Sequence, residues 1–471
     1  MYKIKPAHWL FIGISLIILS HTRFGIGMLA FVEPIPFLIY MERSKSSRSK
    51  PYLFLALFIG WTLAIAKIVT DPIPWFISPA YALPISLFKA GAYFSFILFK
   101  DKRGAAWLFP AVFVLAEWAQ ATLTPFATWG SMAYTQVNNI VWLQLVSLGG
   151  MWGLSYVIYL ISYQIYCLLA GKGTKWTPQA ILAPILLVSI FGATRLALSE
   201  NKLQENLRVA AIGTDSRIGT SEFPSPHERA INRDAIYGRM EIAAQSGAEL
   251  VVWTEAAAGI LPEEEENFQV EVSQLVDSLN ITAVVAYVIP LQFDPLKYVN
   301  KYIAIDSKGQ IMQQYLKHEP VPGEPAVKGR EPHKAFSASG LTMGGAICYD
   351  FDFPRLGLAI AKLGVDMVAL PSSDWKGIDP IHTQMAAFRA VEGGYSLVRS
   401  TRWGLSAAID HHGRIRGQLS DNDTGDKILL AQLPVSGVRT VYGSLGDWFP
   451  LVCLIAIVER IFSTKNHRKK M

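Results

Sequence analysis

The sequence contains little cysteine, with only Cys167, Cys348 and Cys453 among its 471 residues. Because this number is odd and no pair has the C-x-x-C spacing, we expect neither a disulfide framework nor a zinc site. Cys167 and Cys453 lie in long apolar runs, whereas Cys348 ends a short apolar run and is followed by polar residues. We expect Cys348 to be a free thiol at the end of a buried strand, with no metal or other cofactor.

Charged residues are also scarce, at 17% of the chain, whereas 51% of the residues are hydrophobic. This composition is too apolar for an ordinary soluble enzyme. Acidic residues are concentrated in 200–440, which has 23 Lys and Arg against 30 Asp and Glu, while the remainder has 20 against 7. The positive excess lies between hydrophobic segments, which is typical of the cytoplasmic loops of membrane proteins. It does not indicate one basic face for nucleic acid, and we expect no nucleic-acid partner.

Several apolar runs approach the length that a helix needs to cross a bilayer, about 17–25 residues. We predict eight spans, the second of which is interrupted by Pro34 and Pro36. The predicted spans are 9–20, 25–41, 51–69, 80–99, 105–123, 152–169, 177–196 and 448–462. No small-residue cleavage site follows the first span, so we interpret it as an uncleaved anchor.

The loops between these spans differ strongly in charge. If the N-terminus is inside, the inner segments carry fifteen Lys and Arg residues, whereas the short outer loops carry only Arg23. Positive residues accumulate on the cytoplasmic side, so both termini are predicted inside. We predict an N-terminal transmembrane domain of about seven helices at 1–200, an extracytoplasmic domain at 201–441, and a C-terminal transmembrane helix with a basic cytoplasmic tail at 442–471.

The predicted outer domain alternates short apolar strands with helical patterns, which indicates a layered α/β fold. The acidic stretch 262–268, PEEEENF, is interpreted as a solvated surface turn. Strands are predicted at 207–212, 250–253, 282–289, 298–305, 341–348, 367–370, 396–399 and 405–409, and helices at 226–244, 354–363 and 381–392.

Three of the apolar runs end in, or are directly followed by, a residue that can do chemistry: Glu255, Lys317 and Cys348. A carboxylate can take a thiol proton, a thiolate is a strong nucleophile, and an ammonium can stabilise an oxyanion. Each residue alone has an ordinary structural explanation, as a solvated loop glutamate, a surface lysine or a small buried hydrophobic residue. Their occurrence in one domain predicts nucleophilic catalysis.

The order Glu, Lys, Cys resembles the catalytic set of the nitrilase, or carbon–nitrogen hydrolase, superfamily. With the predicted spans, the chain resembles the apolipoprotein N-acyltransferases, the membrane-embedded branch of that superfamily. The stretches that carry this resemblance are LAFVEPIPFLIYM, LAEWAQATLTPFATWGSMAYTQ, LQLVSLGGMWGLSYVI, SSDWKG, HTQMAAFRAVEGGYSLVRST, AAIDHHGRI and TVYGSLGDWFPL. The resemblance implies an extracytoplasmic αββα sandwich attached to a helical membrane domain.

The resemblance also implies residue roles. Glu255 would be the general base, Lys317 the oxyanion stabiliser and Cys348 the nucleophile. Glu324 matches a second glutamate that orients the lysine and the attacking amine. The turn VPGE is one residue shorter than is usual in the family, so Glu319 is the alternative if that turn directs Glu324 away. The remaining matched or candidate residues are Tyr349 after the nucleophile, Asp350 where the family usually has Glu, Trp375 near the lipid entrance, and Glu117 within the fifth span.

The implied reaction takes an acyl chain from a membrane phospholipid onto Cys348 and transfers it to the N-terminal diacylglyceryl-cysteine of an apolipoprotein. The implied location is the bacterial inner membrane, with the catalytic domain on the periplasmic side. Two alternatives remain: a membrane-anchored amidase or nitrilase that uses water as acceptor, and a non-catalytic lipid-binding scaffold.

Overall fold

The computed structural model describes residues 5–44, 46–100, 104–200, 205–218, 223–421 and 425–468. Two compact units account for the chain. A helical unit consists of Met1–Ser199 and Leu445–Met471, and an α/β unit consists of Glu200–Ser444.

The helical unit contains helices that begin and end close to most of the predicted spans. Its helices are α1 (Pro6–Ser20), α2 (Pro34–Arg43), α3 (Ser49–Ala66), α4 (Ile77–Ile97), α5 (Ala105–Leu123), α6 (Ile140–Leu143), α7 (Val146–Leu169) and α8 (Thr177–Glu200). After the strands of the α/β unit the chain adds the short helix α13 (Val441–Leu445) and the C-terminal helix α14 (Trp448–Arg468).

Four helices of the described residues are long and apolar enough to cross a membrane: Ser49–Ala66, Ala105–Leu123, Val146–Leu169 and Thr177–Ser199. The last of these exposes much of its apolar surface, with Leu182, Leu186, Leu187 and Ile190 each more than half exposed. Contiguous apolar exposure on that scale is typical of a surface that meets lipid. The helical unit is therefore a membrane domain.

The second predicted span is not one continuous helix. Residues Gly27–Phe31 form a 3₁₀ helix, and α2 starts afresh with Pro34 in its first turn. Proline has no backbone N–H, so it is tolerated at a helix start but not in the middle of a short helix. The sixth span also differs, because α7 starts at Val146 and breaks at Gly150, whose φ of 65° is left-handed.

The α/β unit contains two mixed sheets. Their strands are β1 (Asn206–Ile212), β2 (Leu250–Trp253), β3 (Ala258–Gly259), β4 (Thr282–Phe293), β5 (Leu296–Ile305), β6 (Ile311–Leu316), β7 (Phe336–Ala338), β8 (Leu341–Gly345), β9 (Met367–Ser373), β10 (Ser396–Arg402), β11 (Leu405–Ile409), β12 (Ile415–Ser420) and β13 (Ile428–Pro434). One sheet has the order β13-β1-β2-β4-β5-β6, with β3 beside β4, and the other has β12-β11-β10-β9-β8-β7.

Helices cover the outer face of each sheet: α9 (Pro226–Gln245) and α10 (Glu265–Leu279) on the first, and α11 (Pro354–Ala361) and α12 (Ile381–Gly393) on the second. Alternate residues of β1 show why, since Val209 belongs to the core between the sheets while Ala210 packs in the core under α9 and α10. This period of two gives a four-layer αββα sandwich, as expected from the family resemblance.

The eight predicted strands and three predicted helices of this unit are all present, but the interpretation of 262–268 as a turn is wrong. Residues Pro262–Glu264 form a 3₁₀ turn that leads directly into α10 at Glu265. The acidic side chains are used for pairing, because Glu264 binds Arg229 and Glu265 binds Lys301. Acidic residues also favour the positive end of a helix dipole at its first turn.

Candidate active site

Glu255, Lys317 and Cys348 follow the carboxyl ends of three strands, β2, β6 and β8. The three residues are nearly inaccessible, with 3%, 1% and 2% of their surface exposed. The predicted strand at 341–348 is shorter than expected, because β8 ends at Gly345 and Cys348 opens a 3₁₀ turn that extends to Asp352.

Lys317 lies between two carboxylates. Its Nζ is 2.7 Å from Glu255 Oε1 and 2.6 Å from Glu324 Oε2. Burial opposes the charge of Lys317 most strongly, but the two carboxylates outweigh it and hold the pKa of Lys317 well above its ordinary value. The ammonium is therefore a fixed positive charge inside the site.

Cys348 has a strained backbone, with a φ of 47° that few residues other than glycine adopt. Its Sγ lies 3.2 Å from the backbone oxygen of Ser373 and can donate to it. Burial raises the pKa of the Cys348 thiol well above its ordinary value, the charge of Glu255 adds to this, and Lys317 opposes it. A thiol in this state needs a base to become a nucleophile. Glu255 is the carboxylate that interacts with it most strongly, and Asp374 interacts with it less.

Glu324, rather than Glu319, is the acidic residue that reaches the site. Its Oε2 accepts a hydrogen bond from Val321 N at 2.9 Å as well as from Lys317. Gly323 has a φ of 95°, which allows the short turn to fold back. Glu319 instead pairs with Lys328 and Arg355. The shorter turn therefore does not displace the second carboxylate.

Asp350 lies on the side of the nucleophile turn that faces β6. Its carboxylate accepts hydrogen bonds from Tyr315 OH and from the backbone N–H groups of Ile347, His318 and Glu319. Burial raises its pKa to about 7, although these donors favour the ionised form. Asp350 thus joins the turn that carries Cys348 to the segment that follows Lys317.

The side chains of the other predicted residues, Tyr349, Trp375 and Glu117, are placed as follows. Tyr349 is buried and packs edge-on against Phe353, with ring centroids 5.5 Å apart. Trp375 follows the end of β9 and is partly exposed. Glu117 belongs to the helical unit, where it pairs with Lys89 at 3.0 Å and accepts a hydrogen bond from Tyr159. The described partners of Glu117 are thus residues of the helical unit.

Two buried polar residues of the site were not predicted. Asn300 Nδ2 donates to Glu255 Oε1 at 2.8 Å and to Glu324 Oε1 at 3.1 Å, so it links the two carboxylates. Arg402, at the end of β10, binds Ser373 Oγ and the backbone oxygens of Ser216 and Ile218. A sequence signal existed for Asn300, because an amide inside the strand pattern of LKYVNKYIAI is unusual.

A cluster of ionisable side chains includes the thiol of Cys348. Among the described residues, the potential ligand atoms of Cys348, Asp374 and His382 all lie within 4.8 Å of one another. However, Arg399 already supplies a cation to Asp374 at 2.8 Å, and both ring nitrogens of His382 contact carboxylates. The donor set is therefore that of an ion-pair network rather than of a metal centre.

Comparison with protein families gives two matches along the chain. Residues 15–164 match the apolipoprotein N-acyltransferase N-terminal domain, and residues 208–442 match the carbon-nitrogen hydrolase family. The first match lies in the helical unit, and the second spans the α/β sandwich with all the site residues of that unit.

Curated relatives match over most of the chain. The apolipoprotein N-acyltransferase of Geobacter metallireducens is 25% identical and covers 93% of this chain and 91% of its own length. That of Shewanella oneidensis is 26% identical, covering 74% of this chain and 71% of its own. Apolipoprotein N-acyltransferase 2 of Treponema denticola is 24% identical, covering 80% and 81%.

Solved structures resemble part of the chain at a lower level of identity. An amidase from Nesterenkonia sp. is 20% identical with a TM-score of 0.39, covering 49% of this chain and 91% of its own. A carbon-nitrogen hydrolase from Helicobacter pylori G27 is 15% identical with a TM-score of 0.41, covering 49% and 90%.

Proposed function

The chain belongs to the apolipoprotein N-acyltransferase family, and on that premise we propose that it moves an acyl chain from a membrane phospholipid to the α-amino group of an apolipoprotein's N-terminal diacylglyceryl-cysteine. The observation that carries this proposal is the buried Lys317, which contacts Glu255 and Glu324 at 2.7 and 2.6 Å in the unit that holds Cys348. The membrane domain on the same chain supports a substrate that is itself a lipid.

The first half-reaction forms a thioester on Cys348. Glu255 takes the thiol proton as Sγ attacks the carbonyl carbon of a phospholipid acyl ester. Lys317 and the backbone N–H of Tyr349 stabilise the negative oxygen of the tetrahedral intermediate. The ester C–O bond then breaks, the proton passes from Glu255 to the leaving alcohol, and lysophospholipid departs.

The second half-reaction transfers the acyl chain to nitrogen. The α-amine attacks the thioester carbon, loses a proton to Glu255, and expels the Cys348 thiolate as the amide forms. Glu324, which Lys317 holds in the site at 2.6 Å, positions the amine for this attack. Glu255 then gives the proton from the amine to the Cys348 thiolate, so the enzyme returns to its starting state after two substrates have reacted in turn.

We further propose that the membrane domain crosses the inner membrane eight times, with both termini in the cytoplasm and the α/β unit in the periplasm. The fifteen-to-one distribution of Lys and Arg between inner and outer loops supports this orientation. Such an arrangement would confine both lipid substrates to the leaflet on which the catalytic unit acts.

The test uses purified protein in detergent micelles with phospholipid labelled in one acyl chain and a synthetic diacylglyceryl lipopeptide that has a free amine. We expect label to appear as an amide on the lipopeptide, and only slowly as free fatty acid. Label released mainly as fatty acid, or turnover of simple amides without phospholipid, would favour the hydrolase alternative. No turnover of either kind would favour the scaffold alternative. Cys348→Ala is the matched inactive control.

A further inference from the structure

The nucleophile turn needs support beyond its own backbone. Cys348 has a φ of 47°, and a residue with a side chain persists in this conformation only when its surroundings hold it. The turn is short, from Cys348 to Asp352. Asp350 fixes its middle to the β6 side, as described above, and Asp352 lies at its far end.

His382 connects that far end to the strand that contacts the thiol. Its Nε2 lies 2.8 Å from Asp352 Oδ1, and its Nδ1 lies 2.6 Å from Asp374 Oδ1. Asp374 directly follows Ser373, whose backbone oxygen is 3.2 Å from Cys348 Sγ. The imidazole therefore bridges the two backbone segments that meet at the sulfur.

Each ring nitrogen faces a carboxylate oxygen, and Nδ1 also lies 2.9 Å from Nη2 of Arg399. Direct hydrogen bonds from the imidazole to both carboxylates therefore require a proton on both ring nitrogens. Burial opposes the imidazolium most, but Asp352 and Asp374 outweigh it and raise the pKa of His382 to about 9. Burial likewise opposes the charge of Asp374, yet Arg399 and His382 hold its pKa at about 2. The charged and titratable groups that face His382 are thus Asp352, Asp374, Arg399 and Cys348.

We propose that the Asp352–His382–Asp374 bridge holds Cys348 in its reactive position, so that His382 and Asp352 are positioning residues for acylation. This inference rests on the proposed role of Cys348 as the acylated nucleophile. His382 does not act as a base here, because it is already protonated at neutral pH. Its part is to fix the sulfur relative to Ser373 and Glu255, and a displacement of about 1 Å can slow such a reaction by on the order of 10²-fold.

The bridge gives the acylation rate a specific pH dependence. A histidine whose pKa is raised from its ordinary value of 6.5 to about 9 keeps the bridge intact below that value. The bridge is lost as the pH rises through about 9, because the neutral ring can donate to only one of the two carboxylates. Variants without the bridge cannot show this loss.

The experiment measures acylation of Cys348 by p-nitrophenyl butyrate, a soluble activated ester, using intact-protein mass spectrometry between pH 6 and pH 10. The full-length protein in detergent is compared with His382→Gln, Asp352→Asn and the double variant. His227→Gln, which changes an exposed histidine at the start of α9, is the matched control. Cys348→Ala corrects for acylation elsewhere, and thermal unfolding checks that each variant is folded.

We expect both single variants to acylate on the order of 10²-fold more slowly at pH 7, with the double variant no slower than the slower single one. We also expect only the wild type and His227→Gln to lose rate as the pH rises through about 9. Wild-type rates in both single variants, or the same alkaline decline in the variants, would overturn the proposal. If His382→Gln does not fold, Asp352→Asn decides by the same two results.

A phospholipid donor in parallel separates this inference from the proposed function. Wild-type protein that reacts with the soluble ester but not with phospholipid would contradict the proposed function. The comparison between variants with the soluble ester would still decide whether the bridge positions Cys348.

Discussion

Lys317 is the residue on which the chemistry of the site converges. It is fully buried and pairs with Glu255 and Glu324, so the removal of its charge leaves two carboxylates facing each other in an apolar core. Two negative charges that share one buried cation repel each other strongly once that cation is removed. Lys317 therefore has two functions, which are to separate the two carboxylates with a positive charge and to provide a donor for the oxyanion.

Lys317→Ala should impair the first half-reaction. A lost oxyanion donor typically costs about 10²–10³ in rate, so thioester formation from phospholipid alone should slow by at least this factor. The measurement is a single-turnover time course of acyl-enzyme by mass. Lys328→Ala is the control, because that lysine is exposed and pairs with Glu319. A rate for Lys317→Ala within a few-fold of the control would remove Lys317 from the mechanism.

Glu324→Ala should separate the two half-reactions. Lys317 would keep its contact with Glu255, so we expect thioester to form, while transfer to the amine is slow because its positioning group is missing. Glu319→Ala should transfer normally, since Glu319 pairs with Lys328 and Arg355 instead. Accumulated acyl-enzyme with and without lipopeptide is the readout. Normal transfer by Glu324→Ala together with failed transfer by Glu319→Ala would assign the second-step role to Glu319.

At the scale of elements, the sequence predicts what local pattern determines and misses what tertiary contacts determine. Strands such as β2 and β9 are recognisable because they are continuous apolar runs between turns. The acidic start of α10 is not, because its side chains are stabilised by Arg229 and Lys301 from elsewhere in the chain. Strands β12 and β13 were not predicted for a related reason, since they are only partly buried and are defined by their pairing with β11 and β1.

The residues of the candidate site also divide into those that local pattern indicates and those that only tertiary contacts bring together. Glu255, Lys317 and Cys348 follow apolar runs and are visible in the sequence. Asn300 and Arg402 become part of the site only through the pairing of β5 with β4 and of β10 with β9. The link from His382 to Asp352 likewise joins residues 30 positions apart. No local pattern reports such contacts.

Two hydrogen bonds just before the C-terminal helix α14 attach it to α5 and α7. Asp447, just before α14, accepts the indole N–H of Trp118 at 2.9 Å and that of Trp152 at 2.8 Å. Hydrogen bonds to a charged acceptor each contribute about 1.5–3 kcal/mol. Asp447→Ala should therefore lower the Tm of the detergent-solubilised protein by several degrees, and Asp447→Asn by less, because an amide keeps one acceptor.

Glu459→Ala is the control for this measurement, since that side chain is exposed on the same helix. Equal Tm values for Asp447→Ala and Glu459→Ala would mean that the two indole contacts contribute little to the attachment of α14.

For the whole molecule, the central structural question is which side of the membrane holds the α/β unit. Four helices meet the length and hydropathy of a span among the described residues, whereas the proposed topology uses eight. The additional spans include α1, which has only 15 residues, and the broken segment that ends in α2. Length alone does not decide these, because neighbouring helices can shield a short or interrupted span.

Reporter fusions test this topology. A fusion after Lys308, in the turn between β5 and β6, should be active with a periplasmic reporter and inactive with a cytoplasmic one, and a fusion at the C-terminus should show the reverse. Cytoplasmic activity at Lys308 would contradict the orientation. Periplasmic activity at both positions would contradict the eighth span.

The most direct test of the proposed two-step transfer through Cys348 is the mass of the protein after exposure to a phospholipid donor. Purified protein is incubated with dioleoyl phospholipid and analysed intact, before and after addition of a diacylglyceryl lipopeptide with a free amine. We expect a gain of one oleoyl group on Cys348, which is lost when the free-amine lipopeptide is added and retained with an N-acetylated one. Cys167→Ser and Cys453→Ser should behave like the wild type, and Cys348→Ser should gain nothing. The proposed mechanism would be contradicted by no gain in mass in the wild type, by a gain on another residue, or by an oleoyl group that is lost equally to water and to the amine.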